Sequence, residues 1–332
     1  FEEAAASVAA ESSTGTWTKV YDGDGSGIPL ASKYRALAFD LDYEKIERAI
    51  NRKTRAIMVV HLFGQPADMS EIMRIAKKHK LKVIEDSCET IFSKYKGKSV
   101  GSFGDISCFS TYAAHIIATG VGGVALTNNP KYAEIMRSIA NHGRDGIYIS
   151  IDDDKNKKRS ELKEIVERRF KFIRLGHSAR ITEMEGAIGL AQLERADEIL
   201  SKRKVNAAYL ISKLKKFEKF IQLPIKRGDR DHSYMMFPIV IKKNSGISKQ
   251  ELVLFLENNN IETRDMLPLL NQPVYKKIFG DVENNYPVAK WVNDYGFYIG
   301  CHQRLTKEQI DYVIDKFEEF FRVKYIIDNK NA

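Results

Sequence analysis

Alternation between apolar runs and helical patterns is the feature that most constrains the fold of this chain. Residues 56–62 are apolar apart from His61, as expected of a parallel strand that is buried on both faces. Helical spacing follows over residues 69–79, where Asp68 and Ser70 are candidate N-caps, and residues 83–84 make the next strand. Further strands are predicted over 103–109 and 123–127, and helices over 43–50 and 130–141. This alternation predicts an α/β fold with a mainly parallel sheet.

The rest of the sequence predicts a smaller α+β unit. Residues 146–172 are polar and charged and are interpreted as a variable excursion. Helical patterns follow over 181–193 and 201–217, and residues 234–242 are apolar on both faces of a strand. Two more helices are predicted over 249–258 and 307–321. We therefore divide the chain into residues 1–40, a large-domain core over 41–200 and a small C-terminal α+β domain over 201–332.

Size and composition favour a globular protein. The chain has 332 residues, of which 43% are hydrophobic, enough for a substantial core. No apolar run reaches the ~18 residues of a membrane span, and the first residues lack the basic and apolar regions of a signal peptide. The widely spaced Cys88, Cys108 and Cys301 indicate free thiols in a reducing cytoplasm rather than disulfides or a metal cluster.

The charge pattern favours a small anionic substrate over nucleic acid. The net charge is +9, but the basic residues are scattered among 44 acidic ones. The densest basic run, residues 155–159, follows three aspartates and is typical of a solvated loop. A basic protein attracts an anionic ligand such as a sugar nucleotide by electrostatic steering. We expect neither a nucleic-acid partner nor a membrane partner.

Three motifs together resemble one enzyme family. Residues 81–86 read Leu-Lys-Val-Ile-Glu-Asp, residues 108–115 read Cys-Phe-Ser-Thr-Tyr-Ala-Ala-His, and residues 120–123 read Gly-Val-Gly-Gly. Over residues ~40–325 the chain resembles the DegT/DnrJ/StrS nucleotide-sugar aminotransferases, which use pyridoxal phosphate. The resemblance implies the fold of type I pyridoxal-phosphate transferases, here short on its N-terminal side. It also implies pyridoxal or pyridoxamine phosphate as cofactor and a nucleotide-diphosphate 4-keto-6-deoxy sugar as substrate.

The resemblance assigns a role to three residues of these motifs. Asp86 matches the strand-end aspartate that holds the pyridinium nitrogen, although many strand-end acids only cap the next helix. Ser110 matches a serine that binds the cofactor phosphate, whereas serines in turns often bond only to nearby backbone. Glu89 matches a position where many relatives carry a glutamine facing the cofactor; the alternative is a solvated glutamate at the start of a helix.

His115 stands where the family has the lysine that binds the cofactor covalently. One interpretation is a general base, because imidazole titrates near neutral pH, and a branch of sugar 3-dehydratases resembles this chain in having histidine there. The other interpretations are a lysine lost from an inactive protein and a histidine with a structural role. In all three, we expect no covalent bond between the cofactor and a lysine at position 115.

The cysteine positions separate two dehydratase branches. One branch binds an iron–sulfur cluster through cysteines that closely follow the Asn-His-Gly-Arg-Asp motif, which stands here at residues 141–145. From there to Cys301 the sequence has no cysteine, so a cluster held by thiolates is excluded. The resemblance therefore points to the iron-free branch, which acts on GDP-4-keto-6-deoxymannose with glutamate as amino donor. His302 is interpreted as a residue at the pocket edge, and no metal site is expected.

A fourth motif implies a second subunit. Residues 176–183 match the family pattern Gly-x-Asn-x-Arg-Met, whose asparagine reaches the cofactor phosphate of the partner. Ser178 replaces that asparagine and keeps the capacity to form a hydrogen bond with a shorter reach, and Arg180 fits the arginine. We therefore expect a homodimer whose sites lie between subunits, with Ser178 and Arg180 as cofactor-binding residues.

Residues 1–40 resemble a different protein. Residues 8–18 match the N-terminal domain of the RuBisCO large subunit, in which Glu11, Thr16 and Trp17 would complete a neighbouring active site. No barrel motif with the carbamylated lysine follows, so carboxylase activity is a distant alternative. We predict that this segment does not take part in the sugar chemistry; the alternative is that residues 13–16 replace the phosphate-binding loop that relatives carry upstream. Without such a loop, we expect weak cofactor binding.

The sequence thus leaves several functions open. The favoured one is removal of the C3 hydroxyl from a 4-keto-6-deoxy sugar, with His115 as base and Asp86 supporting the cofactor. A plain sugar aminotransferase with a substituted lysine is the alternative enzyme, and a catalytically inactive binding or assembly subunit is the alternative without catalysis.

Overall fold

A computed structural model describes residues 16–18, 43–145, 157–168, 170–266 and 271–330, and the side chains of those between 45 and 323. The strands are β1 (Thr16–Thr18), β2 (Thr54–Val60), β3 (Lys82–Asp86), β4 (Lys94–Tyr95), β5 (Lys98–Ser99), β6 (Ile106–Ser110), β7 (Gly123–Leu126), β8 (Ile221–Gln222), β9 (Phe237–Ile241), β10 (Thr263–Asp265) and β11 (Gly296–Ile299). The helices are α1 (Tyr43–Ala49), α2 (Met69–His79), α3 (Pro130–Ala140), α4 (Arg159–Arg168), α5 (Glu183–Leu193), α6 (Ala196–Leu214), α7 (Lys249–Asn258), α8 (Pro273–Phe279), α9 (Pro287–Tyr295) and α10 (Lys307–Lys330).

The larger sheet has the order β1-β2-β3-β6-β7. Strands β1, β2, β3 and β6 run parallel, and only β7 is antiparallel to its neighbour. Asp86 at the end of β3 pairs in register with Val60 on one side and Cys108 on the other. The mainly parallel sheet predicted from the alternating pattern is therefore confirmed, and the ends of three strands meet at one edge.

Helix α2 covers this sheet through its apolar face. Met69, Ile72 and Ile75 are fully buried against apolar side chains of β2 and β3. The side chain of Asp68 caps the helix by accepting from the N–H of Glu71, so Asp68 is the cap that the sequence left open. Burying a large apolar side chain of this kind contributes about 1.5–3 kcal/mol.

The second sheet is antiparallel, with the order β10-β11-β9-β8. Strand β9 is buried along its whole length, in agreement with its apolar pattern on both faces. Phe237 and Phe297 of this sheet share a core with Phe317 and Phe321 of α10 and with apolar residues of α6 and α7. This is the small α+β unit that the sequence predicts; the domain boundaries remain a prediction.

The segment before β9 lies against the turn that follows β2. The N–H of Ser233 donates to the carbonyl of Gly64 at 2.8 Å, and Nη1 of Arg230 donates to the carbonyl of Pro66 at 2.9 Å. Gly64 has φ +101°, and a Cβ there would lie 2.8 Å from the Tyr234 nitrogen. Only glycine fits such a close approach in this conformation. The second unit is thereby attached next to the ends of the parallel strands.

Helix α4 was not predicted. It lies inside the charged excursion, and Ile165 is its one buried residue among those that the structure describes. Nε of Arg168, at its end, donates to Asp145 at 2.8 Å, and the Asp145 N–H donates to the Lys171 carbonyl. Leu162, Ile165 and Val166 have helical spacing, but this short apolar stripe is surrounded by charged residues, and the segment was therefore interpreted as an excursion.

Candidate active site

The candidate site lies where β3 and β6 end. Asp86 is the last residue of β3, and its side chain is half-buried. Its main-chain carbonyl accepts from the His61 N–H at 3.0 Å, and its Oδ1 accepts from the Cys88 N–H at 3.2 Å. The carboxylate is therefore fixed by the next turn, which is the capping role, at the edge of the sheet where ligands of parallel α/β proteins bind. Both roles proposed for Asp86 are compatible with this position.

Ser110 ends β6 on the neighbouring strand. Its side chain is buried, and Oγ accepts from the Tyr112 N–H at 3.2 Å. The loop that follows closes on itself, because the Thr111 N–H donates to the Gly122 carbonyl at 3.1 Å and the Ala113 N–H donates to the Gly120 carbonyl at 3.0 Å. The glycines of the 120–123 motif thus hold the loop that carries His115.

The imidazole of His115 is half-buried within this loop. Its main-chain N–H donates to the Tyr112 carbonyl at 2.8 Å, and the two rings meet edge to face with centroids 6.3 Å apart. Its Nδ1 is shielded from solvent and forms no hydrogen bond. Burial lowers the pKa of His115, and the negative charge of Asp86 opposes this shift. The ring is therefore neutral at neutral pH and lies close enough to Asp86 to feel its charge.

Glu89 completes the group of titratable residues. It is half-buried and accepts a hydrogen bond from the N–H of Phe63, in the turn after β2. Burial raises the pKa of Glu89 to about 7. The hydrogen bond from Phe63 opposes this shift, and the negative charge of Asp86 adds to it. The structure thus brings Asp86, Glu89 and His115 together, and it does not support the solvated glutamate that the sequence allowed.

Ser178 and Arg180 lie apart from these residues. Both are exposed, in a segment that pairs with Asn141 through an antiparallel bridge at Ser178. The N–H of Ala179 donates to the Ala140 carbonyl at 3.0 Å, which fixes the segment to the end of α3. Among the described side chains, no hydrogen bond joins either residue to Asp86, Ser110 or His115. Within one copy of the chain, the predicted site residues therefore form two groups, Asp86, Ser110 and His115 in one and Ser178 and Arg180 in the other.

The sequence did not single out Glu85 and His61 as a pair beneath the site. Both side chains are fully buried, and Nε2 of His61 lies 3.4 Å from Oε2 of Glu85. The carboxylate also accepts from the N–H groups of Gly101, Phe103 and Gly104 at 2.7, 2.7 and 2.5 Å. Burial alone would raise the pKa of Glu85, but these hydrogen bonds outweigh it and the pKa is lowered. The sequence feature that could have indicated this pair is Glu85, an acidic residue inside a predicted buried strand and directly before Asp86.

The donor set fits a pyridoxal-phosphate group better than a metal. Asp86 offers a carboxylate to a protonated pyridine nitrogen, Ser110 offers a hydroxyl next to backbone N–H groups, and Nδ1 of His115 is a buried acceptor without a partner. Across the described ranges, no cluster of three or more histidine, cysteine or acidic residues could hold a metal ion. Burial raises the pKa of Cys88 beyond its usual range and that of Cys108 to about 11, so both are protonated thiols.

Among the helices in the part of the chain that the structure describes, none combines the length and apolar character needed to cross a bilayer.

Comparison with known proteins gives consistent matches. The family model of the DegT/DnrJ/EryC1/StrS aminotransferases matches residues 32–318. The lipopolysaccharide biosynthesis protein RfbH of Salmonella typhimurium is 36% identical over 305 residues, which are 90% of this chain and 70% of that protein. The GDP-4-keto-6-deoxy-D-mannose 3-dehydratase of Escherichia coli O55:H7 is 32% identical over 82% of this chain and 70% of its own length. The GDP-perosamine synthase of Escherichia coli O157:H7 is also 32% identical, over 86% and 71%.

Solved structures agree with these matches. The E. coli GDP-4-keto-6-deoxy-D-mannose 3-dehydratase with bound hydrated pyridoxal phosphate superposes with a TM-score of 0.73 at 29% identity, over 85% of this chain and 72% of that one. Among the sequence relatives, a dTDP-4-dehydro-2,6-dideoxy-D-glucose 3-dehydratase of Saccharopolyspora spinosa is 31% identical, and this chain spans 65% of its length. The predicted family, fold class and cofactor class are confirmed. The chain belongs to the DegT/DnrJ/EryC1/StrS aminotransferase family.

Proposed function

We propose that this chain is an enzyme of nucleotide-sugar biosynthesis that removes the C3 hydroxyl of a 4-keto-6-deoxy hexose. The observation that carries the proposal is His115, a half-buried imidazole with an unpartnered Nδ1 next to Asp86, at the position where the family pattern has its lysine. Relatives named as 3-dehydratases and as GDP-perosamine synthases match this chain at similar identity, so overall similarity does not choose between the two reactions.

The residues at the strand ends would hold pyridoxamine or pyridoxal phosphate. Asp86 would bind the pyridinium nitrogen, Ser110 would bind the phosphate, and Glu89 would face the cofactor from the turn. When bound, this cofactor supplies an electron-poor ring that stabilises negative charge on a neighbouring carbon. A carboxylate such as the half-buried Asp86 would keep that ring protonated and oriented.

The chemistry of His115 favours a base over a covalent anchor. Because burial keeps the ring neutral, the imidazole can accept a proton at neutral pH. An imidazole does not replace a lysine amine as a stable covalent anchor. A cofactor that carries an amino group, and the sugar that reacts with it, can therefore remain without a covalent bond to the chain. Glutamate is the proposed amino donor that forms this cofactor.

A sugar aminotransferase is the second candidate. GDP-perosamine synthases of several bacteria match this chain at 26–32% identity, and their reaction would use the same cofactor and substrate class. Borohydride reduction in the presence of pyridoxal phosphate, followed by peptide mass spectrometry, tests the difference. Our proposal predicts no pyridoxyl adduct within the active site; an adduct formed specifically at a pocket lysine would favour the aminotransferase.

The working form that we propose is a homodimer. Helix α5 has no buried residue among those described, although it is rich in apolar side chains. Leu175, Met184 and Leu190 are 92%, 72% and 66% exposed, close in sequence to the exposed Ser178 and Arg180. An exposed apolar surface of this kind is typical of a protein interface. A second copy packed there would carry Ser178 and Arg180 towards the partner's cofactor phosphate.

The overall charge suits the proposed substrate. The net charge of +9 raises the local concentration of an anionic sugar nucleotide around the protein. GDP-linked and dTDP-linked sugars are both named among the substrates of matched relatives, and the nucleotide is left open in this proposal.

A further inference from the structure

Glu89 occupies a position where three parts of the fold meet. Its carboxyl accepts the hydrogen bond from Phe63, which has a left-handed φ of 57° in the turn after β2. Its main-chain carbonyl accepts from Oγ of Ser233 at 3.0 Å, in the segment before β9. Tyr298 on β11 is close enough that the charge of Glu89 affects its pKa. The carboxyl is therefore held by the turn after β2, and the main chain of Glu89 is held by the segment before β9.

The surroundings of Glu89 favour a carboxylic acid over a carboxylate. The titratable groups that interact with it are Asp86 and Cys88 in its own loop and Tyr298 on β11, and all are acids. The turn after β2 and Ser233 contribute only uncharged groups. A half-buried carboxyl whose charged neighbour is another carboxylate retains its proton more readily than one in water. Its pKa of about 7 agrees with this geometry.

Glu89 and His115 lie around the same carboxylate. The charge of Asp86 acts on both, raising the pKa of Glu89 and opposing the lowering of the pKa of His115. Ile91, two residues beyond Glu89, packs against an apolar cluster that contains Ile116 and Ile117, which directly follow His115. Around neutral pH the site thus contains a neutral imidazole and a carboxyl that remains partly protonated, an arrangement suited to moving two protons in one reaction.

We propose that Glu89 is the proton donor to the hydroxyl that leaves C3, while His115 is the base. This inference rests on the dehydration proposed above. Glu89 Oε gives its proton to the C3 oxygen, the C3–O bond breaks with its electron pair on oxygen, and the hydroxyl departs as water. The pair that replaces it would come from a C–H bond of the cofactor's amine-bearing carbon, whose proton His115 would remove. One proton transfer from His115 to Glu89 then restores both groups.

The simpler explanation is that Glu89 only accepts the Phe63 hydrogen bond. Glu89→Gln separates the two, because the amide oxygen still accepts from Phe63 while the side chain can no longer give up an acidic proton. Glu134→Gln on α3 is the matched control, since Glu134 is exposed and belongs to none of the motifs. Glu89→Asp is a second variant that keeps an acid and tests the proposal if the amide disturbs the turn.

The first experiment measures thermal stability of the protein without cofactor from pH 4.5 to 8. A carboxyl whose pKa is raised in the folded state stabilises the fold below its unfolded pKa, and this stability is lost as the pH rises through about 7. We expect the wild type to lose stability over this range relative to Glu89→Gln, and Glu134→Gln to follow the wild type. Identical pH profiles for wild type and Glu89→Gln would overturn the proposal.

The second experiment measures dehydration in a single turnover with pyridoxamine phosphate bound. With each variant saturated with the cofactor, we expect Glu89→Gln to lose at least 100-fold in rate, in the range of general acid catalysis. Glu89→Asp should retain more activity than Glu89→Gln. Dehydration by Glu89→Gln within threefold of wild type would refute the role of Glu89, whereas no dehydration by the wild type would refute the proposed function itself.

Discussion

Nε2 of His61 lies 3.4 Å from Oε2 of Glu85, and both side chains are fully buried below the end of β3. The Ala67 N–H donates to Nδ1 of His61 at 3.0 Å, so Nε2 carries the ring hydrogen and donates to Glu85. The carboxylate fastens the loop after β5 to the strand that ends at Asp86 through N–H groups of that loop. The position of Asp86 thus depends on a buried charge next to it in sequence.

Glu85→Ala should destabilise the fold by about 3–5 kcal/mol, because it leaves His61 and three backbone N–H groups without an acceptor in the interior. Urea denaturation measures this free energy. Glu134→Ala, an exposed change of the same residue type, should cost less than about 0.5 kcal/mol. Equal stabilities of the two variants would show that the buried carboxylate is not needed.

The lowered pKa of Glu85 predicts that the stability of the fold decreases at acidic pH. Since the pKa of Glu85 is lowered in the folded state, its contribution is present above the unfolded value of 4.5 and is lost as the pH falls below it. Wild type should therefore lose more stability than Glu85→Gln between pH 4.5 and 3. Glu89 does not confuse this test, because its raised pKa acts between 4.5 and about 7 and in the opposite direction.

Removing the charge of Asp86 should lower the pKa of His115 further. In Asp86→Asn the negative charge that opposes the lowering is gone, so burial alone acts and the pKa of His115 falls further. NMR titration of the imidazole measures this shift without cofactor. The variant should also bind pyridoxal phosphate at least tenfold more weakly, about 1.4 kcal/mol. An unchanged pKa of His115 would show that the two residues are not coupled.

If α5 forms the dimer interface, acidic substitutions on its exposed apolar surface should disrupt the dimer. Met184→Asp and Leu190→Glu should convert the dimer into monomers and weaken cofactor binding, because Ser178 and Arg180 would no longer reach a partner. Leu254→Glu on α7 is the control, since Leu254 is also exposed, at 53%, outside this surface. Light scattering after size-exclusion chromatography gives the mass. A dimeric Met184→Asp protein with unaltered cofactor affinity would refute this interface.

The local part of the site could be predicted from sequence. The apolar runs gave β2 and β3, and the motifs placed Asp86, Ser110 and His115 at neighbouring strand ends, where the structure has them. Periodicity identifies a strand because successive residues alternate between its faces. The structure then showed that Nδ1 of His115 is shielded and unpartnered, which no pattern of neighbouring residues reveals.

The remaining features depend on contacts between distant residues. Glu85 meets the loop at Gly101, and Gln65 bonds to Ile225, 160 positions along the chain, so neither contact leaves a local pattern. The raised pKa of Glu89 follows from its burial and from the charge of Asp86, and its carboxyl bonds to Phe63 on another element. Residues 1–15 and 19–42, which include most of the RuBisCO-like segment, lie outside the described ranges. Only Thr16–Thr18 is placed, as strand β1 parallel to β2, so the prediction for that segment stays a prediction.

Product analysis tests the central claim about position 115 most directly. Wild type and His115→Lys are incubated with a 4-keto-6-deoxy sugar nucleotide, pyridoxal phosphate and glutamate, and the sugars are identified by mass spectrometry and NMR. We predict a 3-deoxy sugar from the wild type, and loss of that product with lysine-anchored cofactor in His115→Lys. A stable 4-amino sugar from the wild type, with no 3-deoxy product, would contradict the account.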